Sequence, residues 1–379
     1  MPFSRRDVMK ALALSGAGAA LGIRAEAAEP ADCRPGRLRL ICVEEHVASA
    51  TVAQGAMPEM LRSAPYLADW GKDVTDRGGA GDDRPRVIAA GDSMRKLLDM
   101  GETRLREMDA HGIDMQVLSY AASPHLVPGQ AGTDLCARAN DGLAASVARH
   151  PARFAAFAVL PWQEPGAAVK ELERCVNRLG FRGVLLNGRP GEAFLDDARH
   201  RPVLEALNAL GVPLFLHPGP PLPQVRDAYY AGFSREVSAR LSMFAWGWHN
   251  EEGVQLVRLL LSGVFDRLPR LRVISGHWGE LVPFFLQRLD DSIPQEATGL
   301  QRSLTQTFRE HVYVTPSGMT SLPHFLFVRE VVGMDRLLFS VDYPYLSLNG
   351  ARAWLESLPV SHAEKEQFAC RNAEELFRL

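Results

Sequence analysis

The segment LRLICVEEH, residues 38–46, predicts a buried β-strand that ends in two carboxylates and an imidazole. Side chains alternate between the two faces of a strand, so Glu44 and His46 are expected on one face and Glu45 on the other. A carboxylate beside an imidazole can form half of a metal site, a buried ion pair, or neither. The choice depends on whether other parts of the chain supply further ligands.

The composition is that of an ordinary globular protein, with 379 residues, 46% hydrophobic and 23% charged, and a formal net charge of −3. This near-neutral charge gives no reason to expect nucleic acid as a partner. No apolar run reaches the ~18 residues that a membrane-spanning helix needs, so no membrane partner is expected. The length suits one large α/β domain of barrel size or two average domains.

The N-terminus has the layout of an export signal. Arg5 and Arg6 precede a weakly apolar run at 11–23, and a small-residue stretch follows at 25–28. A charged start, a short apolar run and small residues at a cleavage position are typical of a signal peptide, and the paired arginines resemble the twin-arginine type. The alternative is a frayed amphipathic helix. We expect residues 1–28 to be a twin-arginine signal, 29–379 to be the folded domain, and the mature protein to be periplasmic.

The five cysteines are scattered and include no C-x-x-C pair. An odd number leaves at least one free thiol in an exported chain. We interpret them mainly as small buried hydrophobic side chains.

Eight β-type runs alternate with helical runs along the chain. The β-type runs cover 39–45, 115–120, 154–159, 183–187, 212–217, 272–277, 312–315 and 337–342. The helical runs cover 93–111, 134–149, 164–179, 201–210, 251–263, 280–290, 322–332 and 363–377. Such alternation predicts an α/β protein with a (β/α)8 TIM barrel. The polar stretch 48–90 predicts a long loop or insertion after the first strand. No Gly-x-Gly-x-x-Gly follows that strand, which argues against a dinucleotide-binding sheet.

Three later β-type runs also end in groups that can bind metal or titrate. They are His217, His277 and Asp342, and in a barrel the chemistry lies where the strands end. Each has an ordinary explanation when taken alone. His217 could be a loop histidine bonded to backbone, His277 a helix cap, and Asp342 the start of a turn. Their shared position, together with Glu44 and His46, favours one common site.

These motifs resemble those of a known superfamily. Glu44-x-His46, 216–218 (LHP), 275–280 (SGHWGE) and 339–344 (FSVDYP) are similar to the metal-site motifs of the amidohydrolase superfamily. Within it they resemble the non-oxidative decarboxylases, which include aminocarboxymuconate semialdehyde, γ-resorcylate and 2,3-dihydroxybenzoate decarboxylases. Further matches lie at 108–113, 174–181, 186–188 and 371–377. The resemblance covers roughly residues 38–379.

The resemblance implies a metal site and its catalytic neighbours. Glu44, His46, His217 and Asp342 would ligate one divalent ion. A mixed carboxylate and imidazole set suits Zn or Mn, and Glu44 in place of a histidine makes the site harder and favours Mn. Asp342 would also act in proton transfer, beside His277 and Glu280.

The resemblance also implies substrate contacts. Arg288 matches an arginine that in relatives reaches the substrate of a neighbouring subunit, which implies a homodimer or homotetramer. The alternative for Arg288 is a surface salt bridge. Asn187, Trp246 and Trp248 are candidate pocket walls, although core packing would equally explain the two tryptophans.

The expected activity is non-oxidative decarboxylation of a hydroxybenzoate-like or related small carboxylic acid. The alternative is hydrolysis of an amide, ester or lactone by a metal-bound water. A metal-dependent binding protein without catalytic activity is a third possibility. The chain departs from its relatives around the pocket, with Val47 after the first motif, no basic residue after Pro218, and Tyr345-Leu346 in place of an acidic position. These departures concern the identity of the substrate more than the metal ligands.

Overall fold

The computed structural model describes residues 37–75 and 77–379. The predicted signal peptide at residues 1–28 and Cys33 lie outside this part of the chain.

The described residues form a curled, fully parallel sheet of seven strands in the order β1-β2-β3-β4-β5-β6-β7. The strands are β1 Ile41–Val47, β2 Met115–Tyr120, β3 Phe154–Ala158, β4 Gly183–Asn187, β5 Leu214–His217, β6 Val273–Ser275 and β7 Val312–Val314. All seven are buried along their whole length, as expected for parallel strands covered by helices.

The eighth predicted strand, at 337–342, is not a regular strand. Its residues instead run between the two edge strands of the sheet. Leu338 N donates to Val314 O of β7 at 3.0 Å, and Val43 N of β1 donates to Phe339 O at 3.0 Å. Asp342 therefore lies at the end of an extended segment that contacts both β7 and β1.

Helices follow most of the strands. They are α1 Ala50–Ser63, α2 Ala90–Leu98, α3 Glu102–Ala110, α4 Gly129–Arg149, α5 Pro165–Asn177, α6 Arg201–Leu210, α7 Pro223–Tyr229, α8 Arg235–Ser242, α9 Gly247–Leu261, α10 Val264–Arg267, α11 Val282–Ser292, α12 Gln295–Thr298, α13 Leu304–His311, α14 Leu322–Val332, α15 Ala351–Ser357, α16 His362–Glu366 and α17 Asn372–Phe377. Short 3₁₀ turns occur at Pro65–Asp69, Pro124–Leu126, Ala198–His200 and Met334–Arg336, and a π turn at Gln367–Arg371 joins α16 to α17. In the described part of the chain, no helix is long and apolar enough to cross a membrane.

Several predicted elements differ from the structure. The stretch 48–90 is predicted to be a long loop or insertion, and within it residues 50–63 form the helix α1. The predicted helix at 93–111 is two helices, because the chain breaks at Gly101, whose φ of −140° and ψ of −130° are not helical. The predicted helix at 280–290 begins two residues later, after a left-handed turn that the sequence did not reveal.

Two apolar clusters lie on opposite faces of the sheet. The inner cluster contains alternate strand residues such as Val43, Phe215 and Leu338, and Phe377 of α17 packs against it. The larger outer cluster joins the other strand face to the surrounding helices. The four described cysteines, Cys42, Cys136, Cys175 and Cys370, are buried free thiols that belong to these clusters, which agrees with their interpretation as buried hydrophobic residues.

A β-bulge in β1 changes which side chains face inward. The pairing with β2 shifts between Cys42 and Glu45. Val43 belongs to the inner cluster and Cys42 to the outer one. Strict alternation from Val43 would therefore turn Glu45 inward, whereas the bulge brings Glu44 and His46 to the inner side. Bulges of this kind commonly re-aim a side chain beside an active site.

Candidate metal centre

The candidate site is the layer of polar side chains directly above the inner apolar cluster. His217 lies two positions after Phe215, and Asp342 lies four positions after Leu338. Both Phe215 and Leu338 belong to the inner cluster. Because side chains alternate along extended chain, His217 and Asp342 point to the same side as the inner cluster. Glu44 and His46 join them through the β-bulge. The ligand atoms of these four residues all lie within 4.8 Å of one another.

Glu44 is held by one of its two carboxylate oxygens. Its Oε2 accepts hydrogen bonds from Thr315 Oγ1 at 2.8 Å, from Ser317 Oγ, and from Ser340 Oγ at 3.2 Å. Its Oε1 is buried and has no hydrogen-bond partner among the described residues. Burial raises the pKa of Glu44 above its usual value, although the nearby His277 opposes this. A Cβ on Gly276 would lie 2.9 Å from Glu44 Oε1, so only glycine lets the backbone approach this oxygen so closely.

Both imidazoles have a partner on Nδ1 and present Nε2 to the common centre. His217 Nδ1 lies 2.9 Å from Pro218 O, a carbonyl that can only accept, so the proton is on Nδ1 and Nε2 keeps its lone pair. His46 Nδ1 lies 3.1 Å from Ser119 Oγ, which can likewise accept a proton from this nitrogen. Burial, with the neighbouring His46 and His277, holds the pKa of His217 well below its usual value, so the imidazole is neutral. Such partners orient histidines that ligate metals.

Asp342 is placed by an unusual backbone and by Glu45. Asp342 has a φ of +65°, a conformation that a non-glycine residue adopts only when its surroundings enforce it. Glu45 Oε1 accepts from Val341 N at 3.0 Å and Glu45 Oε2 from Tyr343 N at 3.1 Å, so one carboxylate holds both neighbours of Asp342. Asp342 Oδ1 comes within 3.2 Å of His46 Nε2. Glu45 therefore points away from the centre that Glu44 and His46 face, which is the relative placement that the sequence predicts, although the bulge and not strict alternation along β1 produces it.

The unpaired atoms of this cluster fit a divalent ion. Glu44 Oε1, His46 Nε2 and Asp342 Oδ1 are buried without a hydrogen-bond partner in the described chain. A buried polar atom without a partner costs free energy, and proteins keep such atoms where something else satisfies them. His217 Nε2 lies 3.9 Å from Glu44 Oε1, on the same centre. Two oxygens and two imidazole nitrogens that converge on one point are a donor set suited to Zn or Mn.

A second polar cluster stands beside the first. Residues 277–281 form a left-handed turn in which all five φ angles lie between +47° and +83°. Glu280 Oε1 lies 2.7 Å from His277 Nδ1, and Glu280 Oε2 lies 2.9 Å from His249 Nδ1. Burial lowers the pKa of His277, but the Glu280 carboxylate more than offsets this and raises it to about 9. Burial raises the pKa of Glu280, but His277 and His249 reverse this and bring it below its usual value.

Of the four predicted substrate-binding residues, Trp248 and Asn187 lie beside His217, whereas Trp246 and Arg288 are exposed. Trp248 lies near the centre, with its ring 6.3 Å from the ring of His217. Asn187 is buried beside His217 in the sheet, and its amide nitrogen donates to backbone carbonyls of residues 120 and 122. Trp246 is 43% exposed at the start of α9. Arg288 is exposed on α11 and makes none of the described contacts of the site within this single chain.

Several residues that shape the site were not predicted. Ser119, Thr315 and Ser340 each lie two residues beyond an inner-cluster residue, so the alternation of their strands was a usable signal. Glu45 was recognised only as pointing away. His249 had no signal, because it lies in a helix and not at a strand end, and tertiary packing brings it to Glu280 and to the ring of His277.

Comparison with known proteins agrees with this geometry. A family model described as Amidohydrolase matches residues 87–379. The chain belongs to the amidohydrolase family. This amidohydrolase is 36% identical over 296 residues to a γ-resorcylate decarboxylase from Polaromonas sp., which covers 75% of this chain and 89% of the relative. The family match begins after β1, so Glu44 and His46 lie outside the matched residues.

Solved structures place this amidohydrolase in the decarboxylase branch. A 5-carboxyvanillate decarboxylase from Sphingomonas paucimobilis superposes with a TM-score of 0.79 at 32% identity, over 90% of this chain and all of the other. A dihydroxybenzoic acid decarboxylase from Polaromonas sp., solved with manganese and the inhibitor 2-nitroresorcinol, superposes with a TM-score of 0.75 at 31% identity, over 90% and 98% of the two chains. The predicted family and branch are confirmed.

Proposed function

We propose that this amidohydrolase is a divalent-metal-dependent decarboxylase that removes carbon dioxide from a hydroxybenzoate-like carboxylic acid without an oxidant. The observation that carries the proposal is the convergence of Glu44 Oε1, His46 Nε2 and Asp342 Oδ1 beside His217. All three atoms are buried and have no hydrogen-bond partner within the described chain. The chain's similarity to carboxy-lyases supports the choice of reaction.

Glu44, His46, His217 and Asp342 would hold the ion. When bound, a divalent ion supplies Lewis-acid stabilisation and a fixed point for the substrate carboxylate and an adjacent phenolic oxygen. We propose manganese over zinc, because two carboxylate ligands make the site hard. The manganese bound to the Polaromonas relative supports this choice.

We assign the proton transfer to Asp342. Its protonated carboxyl group would give a proton to the ring carbon that bears the carboxylate, which interrupts the aromatic system. The bond from that carbon to the carboxylate then breaks, its electron pair restores the aromatic ring, and carbon dioxide leaves. The Asp342 carboxylate takes up a proton from solvent before the next turnover. One proton is consumed and one carbon dioxide is released, so no oxidant or reductant is needed.

His277 would orient and stabilise the reacting group. Because Glu280 binds Nδ1, the other nitrogen, Nε2, remains to donate toward the substrate. A pKa near 9 keeps His277 protonated at neutral pH, so Nε2–H can donate to a carboxylate or phenolate oxygen. Trp248 would form one wall of the pocket.

The test is turnover by the purified, manganese-loaded protein on a panel of hydroxybenzoates, with carbon dioxide and the ring product both measured. We expect equal amounts of the two products, with no requirement for oxygen. The hydrolase alternative predicts cleavage of amides, esters or lactones without carbon dioxide, and that result would replace the proposal. Retention of metal without turnover on any of these compounds would support a binding protein instead.

We further propose that the curled sheet is the core of a (β/α)8 barrel and that residues 48–90 are the insertion after β1. The hydrogen bonds of the segment 337–342 to β7 and β1 support closure of the barrel.

We also propose a homodimer or homotetramer in which Arg288 reaches a neighbouring subunit. Exposed Phe284 and Phe285 lie one turn before Arg288 on α11 and support an interface there. Light scattering on the purified protein would measure its mass in solution.

Export by the twin-arginine route to the periplasm is likewise a proposal, supported by Arg5, Arg6 and the small residues that follow the apolar run. In this view residues 1–28 are removed and 29–379 form the mature enzyme. Because this route carries folded proteins, the metal would be loaded before export.

A further inference from the structure

His249 is the least expected member of the site. It lies in the first turn of α9, and no motif in the sequence marks it. Its Nδ1 is 2.9 Å from Glu280 Oε2, while the other oxygen of the same carboxylate faces His277 Nδ1 at 2.7 Å. The two imidazole rings are 4.3 Å apart between centroids. A single buried carboxylate therefore joins two histidines.

The direction of the His249 hydrogen bond follows from its other neighbours. Trp248 Nε1, which can only donate, lies 3.0 Å from His249 Nε2. The carbonyl of Phe244, which can only accept, lies 3.1 Å from the same nitrogen. The first contact suits a neutral imidazole with its proton on Nδ1, and the second requires a proton on Nε2. A neutral imidazole protonated only on Nε2 is excluded, because its bare Nδ1 would face a Glu280 carboxylate oxygen that can only accept. Nδ1 therefore carries a proton, and His249 donates to Glu280 whichever charge it has.

The backbone holds this arrangement in place. A Cβ on Gly253 of α9 would lie 2.7 Å from Glu280 O, so the helix presses directly against the left-handed turn. A run of positive φ angles is costly for residues with side chains and persists only where the surroundings enforce it. His249 and Gly253, one turn apart on α9, therefore fix both the side chain and the main chain of Glu280.

A second metal ion is the competing explanation, because His249, His277 and Glu280 offer ligand atoms within 4.8 Å of one another. The hydrogen bonds argue against it. A proton on Nδ1 of His249 occupies the lone pair that a metal would need, and both Glu280 oxygens already have donors. The atoms of this cluster satisfy one another, whereas those of the Glu44 centre do not.

We propose that His249 is a positioning residue, which by donating to Glu280 Oε2 holds that carboxylate against His277 Nδ1 and so aims His277 Nε2 at the substrate. The kinetic part of this inference rests on the proposed decarboxylase function. Without the His249 donor, Oε2 of a nearly fully buried carboxylate loses its partner. Glu280 then turns to find another donor, and His277 loses its fixed orientation.

Three substitutions separate positioning from simple packing. In His249→Asn the amide nitrogen can take the place of Nδ1 and still donate to Glu280. His249→Leu has no donor. His249→Met also has no donor and serves as the donor-free variant if the leucine variant does not fold. The matched control is His311→Asn, because His311 is a buried histidine whose Nδ1 contacts a backbone carbonyl, Leu271 O at 2.9 Å, outside the site.

The measurements are kcat and KM of the metal-loaded enzymes and the crystal structure of each metal-loaded variant. We expect His249→Leu or His249→Met to lower kcat about 10- to 100-fold with KM unchanged, the range found for residues that orient metal ligands. We expect His249→Asn to retain most of the activity, and His311→Asn all of it. In the crystals, the contact between Glu280 and His277 Nδ1 should be kept by His249→Asn and lost in the donor-free variant.

Two results would overturn the inference. One is a donor-free variant with wild-type kcat and an unchanged Glu280–His277 contact. The other is an equal loss of kcat in the asparagine and donor-free variants, which would make His249 a packing residue. If the wild-type enzyme decarboxylates nothing, the proposed function fails, and the crystal structures alone still decide whether His249 positions Glu280.

Discussion

Replacing Thr315 with valine tests whether the hydroxyl groups around Glu44 prepare it to bind metal. Valine has nearly the same shape, and it removes only the donor that lies 2.8 Å from Glu44 Oε2. Both side chains are fully buried. A hydrogen bond to a charged group contributes about 1.5–3 kcal/mol. Because Ser317 and Ser340 still donate to the same oxygen, we take the lower value, which corresponds to about a tenfold weaker Kd for Mn²⁺.

The loss should depend on pH. Burial already raises the pKa of Glu44, and removal of a donor to its ionised form raises the pKa further. Protons then compete with the metal up to a higher pH, so the deficit in affinity should be larger at pH 6 than at pH 8. The assay is competition with a chelator of known affinity, at both pH values. The matched control is Thr307→Val, since Thr307 is a buried threonine that donates to Ser303 O at 2.9 Å, outside the site. A wild-type Kd for Thr315→Val at both pH values would refute the reasoning.

Three further predictions use different parts of the molecule. Asp342→Asn should keep the circular dichroism spectrum of the wild type and lower carbon dioxide release about 10²- to 10⁴-fold, because it removes the proton donor, and retained activity would contradict that role. Burial raises the pKa of Glu252 well above its usual value, so its contribution to stability is present below the unfolded-state pKa and is lost as the pH rises through the folded-state pKa. Glu252→Gln should therefore melt above the wild type at pH 8 and close to it at pH 4, and equal melting at pH 8 would count against the shift. Arg5→Lys combined with Arg6→Lys should retain the protein inside the cell, as followed by fractionation, and unchanged export would exclude the twin-arginine route.

The sequence predicts the parallel sheet and the residues at its strand ends well, because both depend on local patterns. Buried parallel strands are continuous apolar runs, and seven of the eight predicted runs are regular strands. The eighth run, at 337–342, pairs with β7 through Leu338 N, but its regular pairing stops where the chain turns to Glu45. The amides of Val341 and Tyr343 donate to the Glu45 carboxylate rather than to a neighbouring strand. A contact between residues almost three hundred positions apart leaves no local pattern.

The turn at 277–281 shows a second limit of sequence reasoning. The apolar spacing after Glu280 predicts a helix, but the chain first makes five residues with positive φ and begins α11 at Val282. Trp278 and Leu281 have no intrinsic preference for that conformation. It is imposed by tertiary contacts, such as the hydrogen bond from Trp278 Nε1 to Met319 O at 2.8 Å and the close approach of Gly253. His249 enters the site only because this turn brings Glu280 to it.

The hydrogen-bond partners of the individual atoms explain why the Glu44 centre is suited to a metal ion and the cluster around Glu280 is not. Glu44 is held by hydrogen bonds to Oε2, and its Oε1 has no partner in the described part of the chain. His217 is held through Nδ1, and its Nε2 faces Glu44 Oε1. In the metal-free protein, Oε1 of Glu44 is buried without a hydrogen-bond partner among the residues that the structure describes, and this lowers stability. A bound ion removes this cost, and ligand present at 100 times its Kd stabilises a fold by about 2.7 kcal/mol. In Glu280 both oxygens have donors, so an added ion would have to replace hydrogen bonds that already exist. The same residue types therefore form a ligand set in one place and a hydrogen-bonded support in the other, and the difference lies in which atoms the surrounding chain has satisfied.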